Sequence, residues 1–273
     1  MAATVVTSAA SAAETPRVVL IVVDGLDSRT VSERSTPTLW KLAHGPEPRD
    51  ARGVFYPEAR AVLPTVTNAN HASLFTGVYP AAHGIVGNYI WAREGTPRRR
   101  RLENRSALAV APLFEDLARA GKVRRSAAVF GKWKLLSLFG PEVPSPAIRV
   151  WADLVAEREF PDARSGLVSD ERTMDEVLLA ITAHAPELLA VNLGDVDRTT
   201  HVFGPDSAQA RKGVLEADRQ LGRLVSFLRD TDRWPETVLV VTADHGFSSV
   251  APDEAAPHRT LSLARELRRE GIE

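Results

Sequence analysis

Three runs of apolar, largely β-branched residues stand out along the chain: Arg17–Val23 (RVVLIVV), Leu188–Leu193 (LLAVNL) and Thr237–Thr242 (TVLVVT). Hydrophobicity that is continuous rather than alternating predicts strands buried on both faces, as in a parallel sheet. Ser126–Phe130 (SAAVF) fits the same template. Between these runs the apolar period lengthens to that of helices. Residues 35–43 predict a short helix with Pro37 in its first turn. Residues 62–67 predict an extended segment that passes into a helix over 68–75, and 107–120 predict an amphipathic helix stopped by Gly121. Asp170–His184 and 207–229 predict two more helices, the second with Leu215, Leu221, Leu224, Val225 and Leu228 on its apolar side. Alternating strands and helices predict an α/β fold, doubly wound, with a mostly parallel sheet and helices on both faces.

Two stretches break the alternation. Residues 91–105 are polar, hold four consecutive arginines (Arg98 to Arg101) and predict an exposed loop or insertion. Residues 1–16 are small, apolar and hydroxyl-rich, which predicts a disordered tail or the remnant of a secretory signal, and with it a place outside the cytoplasm. A single domain is expected over 17–273. Residues 261–271 predict a helix and its stop close to the last residue, which leads us to expect a domain that is C-terminally incomplete.

Composition narrows the chemistry. A chain of 273 residues with 44% hydrophobic content builds one large core. The net charge of −1 argues against a nucleic-acid-binding module working by long-range attraction, and no segment is long and apolar enough to span a bilayer. Cysteine is absent, so a transition-metal site must use His, Asp, Glu or hydroxyl ligands.

Such residues gather where the buried strands end. Asp24 follows the first run, Asp197 and His201 follow the second, and Asp244 and His245 follow the third. Carboxylates and imidazoles brought to one rim of a parallel sheet suit a metal-dependent hydrolase. Each pair has an ordinary alternative in a turn, a cap or a surface histidine; three strand-end sites together favour the chemistry. Thr67 stands where an extended segment turns into a helix, at a place where free amides favour an anion. Its hydroxyl needs a base or a metal to become a nucleophile. Lys132 and Lys134 follow the strand at 126–130, where they can meet an anionic substrate or simply flank a buried Trp133.

The motifs VVDGL (22–26), PTVTNANHASLFTGVYPAAHGIVGN (64–88), DRTTHVFGPDS (197–207) and TADHGF (242–247) occur in an order that resembles the alkaline phosphatase superfamily, in particular its type I phosphodiesterase/nucleotide pyrophosphatase branch. The resemblance implies an alkaline phosphatase-like catalytic domain and two zinc ions. Thr67 would be the nucleophile, transiently phosphorylated. Asp24, Asp244 and His245 would hold one ion, which also binds the Thr67 oxygen. Asp197 and His201 would belong to the other, and Asn88 would donate to a phosphoryl oxygen. His83 matches a family position too and is expected to fix its loop. The family supplies the Asp197/His201 ion with a further downstream histidine; after His245 this sequence has only His258.

The implied substrates are small molecules: phosphodiesters or nucleotide pyrophosphates. A phosphonoacetate hydrolase-like C–P bond hydrolase is the alternative, since the lysines at 132 and 134 and the pair Thr67-Asn68 suit it. A sulfatase is disfavoured because the C/S-x-P-x-R signature is missing. A non-catalytic relative that keeps the fold is the third possibility. The oligomeric state is left open.

Overall fold

A computed structural model describes residues 2–8, 16–45, 53–92, 98–140, 148–152, 168–249 and 270–271. Its strands are β1 Ala2–Ser8, β2 Arg17–Val23, β3 Val54–Ala59, β4 Tyr89–Ala92, β5 Arg98–Arg101, β6 Ser126–Phe130, β7 Ile148–Ala152, β8 Leu188–Leu193 and β9 Thr237–Thr242. Its helices are α1 Pro37–His44, α2 Thr67–Thr76, α3 Pro80–His83, α4 Leu113–Arg119, α5 Trp133–Phe139, α6 Asp170–His184, α7 Asp195–Phe203 and α8 Ala208–Asp230.

The main sheet runs in the order β3-β1-β9-β2-β8-β6-β7. Pairing from β9 to β7 is parallel throughout. The register sets Val18 beside both Leu188 and Val238, so β2, β8 and β9 end on one edge. Side chains of β2 go alternately to two cores, as a strand's period of two requires. Val19, Ile21 and Val23 pack with α1, α6 and α8 through residues such as Leu39, Met174, Ile181, Leu221 and Leu228. Val22 packs on the other face with Phe75 of α2, Phe114 of α4 and Leu135 and Phe139 of α5. Both faces of the sheet are therefore covered, and this is why the strands read as unbroken apolar runs.

The α/β, mostly parallel architecture agrees with the sequence, with differences that have local causes. Ala2–Ser8 form a strand where a tail was expected. β1 lies antiparallel to β9, pairing Val5 with Val241, and antiparallel to β3. Its Thr-Val-Val-Thr run is β-branched and suits an otherwise open sheet edge. The helix expected over 107–120 is confined to Leu113–Arg119 because Pro112 fixes its start as the N-cap. The arginine run is a strand rather than a loop. β5 pairs antiparallel with β4, which sets Tyr89 opposite Arg101 and Trp91 opposite Arg99. The Arg99 guanidinium lies 3.6 Å over the Tyr89 ring, an attraction that offsets repulsion within the run. Leu215, assigned to the apolar side of α8, is instead exposed. His258 and all but the last two residues of the 261–271 segment lie outside the described residues.

Candidate active site

The parallel strands deliver their next residues to a single edge. Asp24 follows β2, Gly194 and α7 follow β8, Ala243-Asp244-His245 follow β9, and Gly131-Lys132 follow β6. This is the carboxyl edge, where open α/β sheets build their sites. Gly25 has φ +78°, and a Cβ there would lie 2.6 Å from Phe247 Cε2 and 3.2 Å from the Asp197 Cα. Only glycine lets the chain turn so closely past α7.

Asp24, Asp244 and His245 are buried, and one ligand atom from each lies within 4.8 Å of the others. Asp244 Oδ1 accepts from the Gly25 and His245 amides at 3.1 and 2.9 Å. Its Oδ2 faces His71 Nδ1 at 3.4 Å and His245 Nε2 at 3.5 Å. His245 Nδ1 lies 3.3 Å from the Gly246 carbonyl; a proton on Nδ1 would leave the Nε2 lone pair for a cation. That Nε2 stands 3.8 Å from Asp24 Oδ1 and 3.9 Å from Asp197 Oδ1. Asp24 Oδ1, Asp244 Oδ2 and Asp197 Oδ1 are buried and accept no hydrogen bond of good geometry. Carboxylate oxygens left so, aimed at an imidazole lone pair, fit a cation.

Lys132 is the one lysine among the buried polar side chains of the described residues. Its Nζ is 2.7 Å from Asp24 Oδ2 and 2.7 Å from Asp197 Oδ2. Burial works against its charge, but the carboxylates of Asp24, Asp197 and Asp244 outweigh it and hold the ammonium protonated. Burial and the nearby Asp244 charge push Asp24 up. Burial also works to raise Asp244, but the nearby His71, His245 and Lys132 side chains hold it at about 2. Asp197 is held low against burial by His201 and Lys132. Asp197 and His201 lie one turn apart on α7, with His201 Nε2 3.3 Å from Asp197 Oδ1. The His201 side chain is 67% exposed.

Thr67 opens α2 as its first helical residue, with Val66 as the N-cap, and is buried. Asn88 Oδ1 accepts from the Asn68 amide at 3.0 Å, which leaves the NH2 end of the Asn88 side chain as the donor. Asn68 Nδ2 donates to Leu102 O at 2.8 Å, so the residues flanking the β4–β5 hairpin are both fastened to the start of α2. Phe75 anchors the helix, with Phe114, Phe130 and Phe139 rings 5.7, 5.8 and 4.9 Å away. His83 is buried, pairs with Ser73 Oγ at 3.0 Å and accepts from the Ile85 amide, which fixes the loop after α3.

Three residues that sequence reasoning did not assign to the site complete the frame. His71, one turn after Thr67, places Nδ1 2.9 Å from the Thr67 carbonyl and so ties α2 to Asp244. Asn192 Nδ2 is 3.1 Å from His71 Nε2 and donates to Asp24 Oδ2 at 3.2 Å. Its signal was legible: an asparagine inside the apolar run of β8 needs buried partners. Asp170 accepts from the Gly194 and Asp195 amides at 2.7 and 3.0 Å and so caps the helix that carries Asp197.

A cavity of about 300 Å³ opens beside the cluster, lined by Lys132, Asp197, His201, Tyr89, Trp133 and Lys134 among others. Lys134 is half-buried there, its charge disfavoured by burial and by Lys132.

Comparison with known proteins bears on the family and the fold. The family model described as type I phosphodiesterase / nucleotide pyrophosphatase matches residues 18–272. The chain is 26% identical over 200 residues to venom phosphodiesterase 2 of Crotalus adamanteus, covering 71% of this chain and 23% of that one. It is 26% identical over 250 residues to ectonucleotide pyrophosphatase/phosphodiesterase 2 of Saccharomyces cerevisiae, covering 85% and 48%. The chain thus spans less than half the length of both. In fold it is similar to murine ectonucleotide pyrophosphatase/phosphodiesterase 5 in an inactive form in complex with AMP (TM-score 0.69, 22% identity, 93% of this chain and 62% of that one). It is also similar to phosphonoacetate hydrolase of Sinorhizobium meliloti 1021 in complex with phosphonoformate (TM-score 0.62, 21% identity, 85% and 57%).

Proposed function

Since the chain belongs to the type I phosphodiesterase/nucleotide pyrophosphatase family, we propose that it hydrolyses phosphodiesters or nucleotide pyrophosphates, with Thr67 as nucleophile beside a zinc ion held by Asp24, Asp244 and His245. The observation that carries this is the convergence of two carboxylates and an imidazole lone pair, from the ends of β2 and β9, with buried oxygens left free of hydrogen bonds. Two oxygens and one nitrogen form a donor set suited to zinc with a position left for a hydroxyl or water. Such an ion, when bound, lowers the pKa of a hydroxyl or water it meets, to about 7 for water.

The chain's own residues do the rest. The Thr67 oxygen displaces one ester oxygen from phosphorus and keeps the phosphoryl group, with its remaining ester arm if the substrate is a diester. Water then releases that group and restores the hydroxyl. Charge on the phosphoryl oxygens is met by the Asn88 NH2 group and by amides at the start of α2. His71 and Asn192 fix the carboxylates of Asp244 and Asp24. Lys132 puts a permanent positive charge at the cavity wall.

The two-zinc arrangement that the sequence suggests fits less well at its second position. Asp197 and His201 are the two ligands on α7, and Asp197 Oδ2 is already engaged by Lys132. No step is assigned to a second ion.

One observation favours a second reading. Lys134 lines the cavity half-buried, beside the Lys132 ammonium that disfavours its charge. A substrate with a second anionic group, such as phosphonoacetate, would supply a negative partner. Relatives named as venom and ecto-enzymes support a place outside the cytoplasm, and no helix among the described residues is long and apolar enough to cross a membrane.

The test is hydrolysis of bis(p-nitrophenyl) phosphate, p-nitrophenyl phosphate and phosphonoacetate by zinc-reloaded protein. We expect the diester to be turned over fastest, and Thr67→Ala to lower kcat by about 10⁴-fold or more while Thr67→Ser keeps part of it. Turnover that survives Thr67→Ala would end the nucleophile assignment. A protein that binds zinc but hydrolyses none of the three would be a non-catalytic relative.

A further inference from the structure

The residue that departs from a two-metal design is Lys132. It is the N-cap of α5 and follows Gly131, whose amide is bonded to the Asn192 carbonyl. Its position is therefore set by the β6 and β8 backbones rather than by a loose side chain. The ammonium lies 2.7 Å from Asp24 Oδ2 and 2.7 Å from Asp197 Oδ2, with the side chain almost fully buried. A second metal ion held by Asp197 and His201 would have to compete with that ammonium for Asp197.

Charge leads to the same place. With a metal bound, Asp24, Asp197 and Asp244 would bring three negative charges into the pocket, and Lys132, 2.7 Å from both Asp24 and Asp197, would bring one positive charge. One divalent ion at Asp24, Asp244 and His245 leaves these groups balanced. A second divalent ion beside the ammonium would leave two positive charges uncompensated in a buried setting, which is costly. Without the lysine, both oxygens of Asp197, with His201 Nε2 3.3 Å from one of them, would be free to take a second ion.

We propose that the Lys132 ammonium is the second cation of this site, so that the chain works with one exchangeable metal ion and one tethered positive charge. The proposal rests on the reading that Asp24, Asp244 and His245 hold a metal. The tethered charge cannot be removed by a chelator. Its third N–H is left for an oxygen of the substrate in the cavity that Lys132 lines.

Equilibrium dialysis of the chelator-stripped chain against zinc, with metal content measured by plasma mass spectrometry, tests this without reference to turnover. The expected uptake is about one ion per chain for the wild type and about two for Lys132→Met, falling back to about one for Lys132→Met with Asp197→Asn. Methionine keeps the length of the side chain and removes the charge. Two ions in the wild type would overturn the proposal, and so would one ion in a folded Lys132→Met protein. No ion in the wild type would instead remove the metal reading on which the proposal stands. Should Lys132→Met fail to fold, electron paramagnetic resonance of the cobalt-loaded wild type decides. An uncoupled, single-ion signal supports the proposal, and a spin-coupled pair overturns it.

Discussion

Asp170 offers a perturbation whose size and pH dependence both follow from geometry. Its Oδ1 accepts from the Gly194 and Asp195 amides, the first two donors of α7, and its Oδ2 is buried without a partner. Asp195 Oδ2 accepts in return from the Asp170 amide at 3.1 Å, so the starts of α6 and α7 cap each other. Asp170→Ala strands two buried N–H groups, at about 1–3 kcal/mol each, so a loss of about 2–6 kcal/mol is expected. Asp170→Asn keeps the accepting oxygen and removes the charge. Burial, with the negative charge of Asp195 second, raises the Asp170 carboxyl well above its ordinary value of 3.8. Below that value both the folded and the unfolded chain carry the proton. Above it the unfolded chain loses its proton while the folded chain keeps it, so stability falls as pH rises until the folded value is passed. The wild type should therefore lose ground to Asp170→Asn by about 1.4 kcal/mol per pH unit within that window. Urea denaturation of the three proteins at several pH values from 4 to 8, followed by far-ultraviolet circular dichroism, measures both effects. Asn as damaging as Ala, or a wild-type-to-Asn difference that does not change with pH, would refute the capping argument.

Other substitutions probe the elements that hold the site. Gly25→Ala places a Cβ against Phe247 at a positive φ; it should cost about 2–4 kcal/mol and lower zinc affinity as well as Tm, and an unchanged affinity would count against the close passage of β2 and α7. Phe75→Ala removes the ring shared by Phe114, Phe130 and Phe139; a loss of about 3–5 kcal/mol in chemical denaturation is expected, and less than about 1 would mean that α2 is anchored elsewhere. Lys134→Gln should raise KM about tenfold for a substrate carrying a second anionic group and leave KM for a diester without one within about threefold; equal changes would show that Lys134 does not read the second charge.

Much of the fold could be read from the sequence because burial on both faces leaves an unmistakable pattern. β2, β6, β8 and β9 have the limits that their apolar runs predict, and so does α6. β1 was hidden by small residues that look like a tail, and β3 by Pro57 and Glu58 within it. The hairpin was hidden because cation–π pairing does not register as hydrophobic periodicity. Parallel strands also explain why the site was legible: residues that follow them in sequence must meet at one edge. Asp24, Asp244 and His245 do meet there, and Asp197 and His201 share one turn of α7. What the sequence could not carry was the partner of each side chain. Lys132 was read toward an anionic substrate, yet its Nζ bonds first to Asp24 and Asp197. His71, though inside the 64–88 motif, and Asn192, inside an apolar strand, show their place in the site only through the contacts they make.

The central claim is that Asp24, Asp244 and His245 form one cation site next to Thr67. A crystal grown with zinc, measured at the zinc absorption edge, tests this most directly. The account predicts an anomalous peak about 2.0–2.2 Å from a carboxylate oxygen of Asp24, one of Asp244 and a ring nitrogen of His245. An ion bound elsewhere while these three side chains stay empty, or side chains that point away from one another, would contradict it.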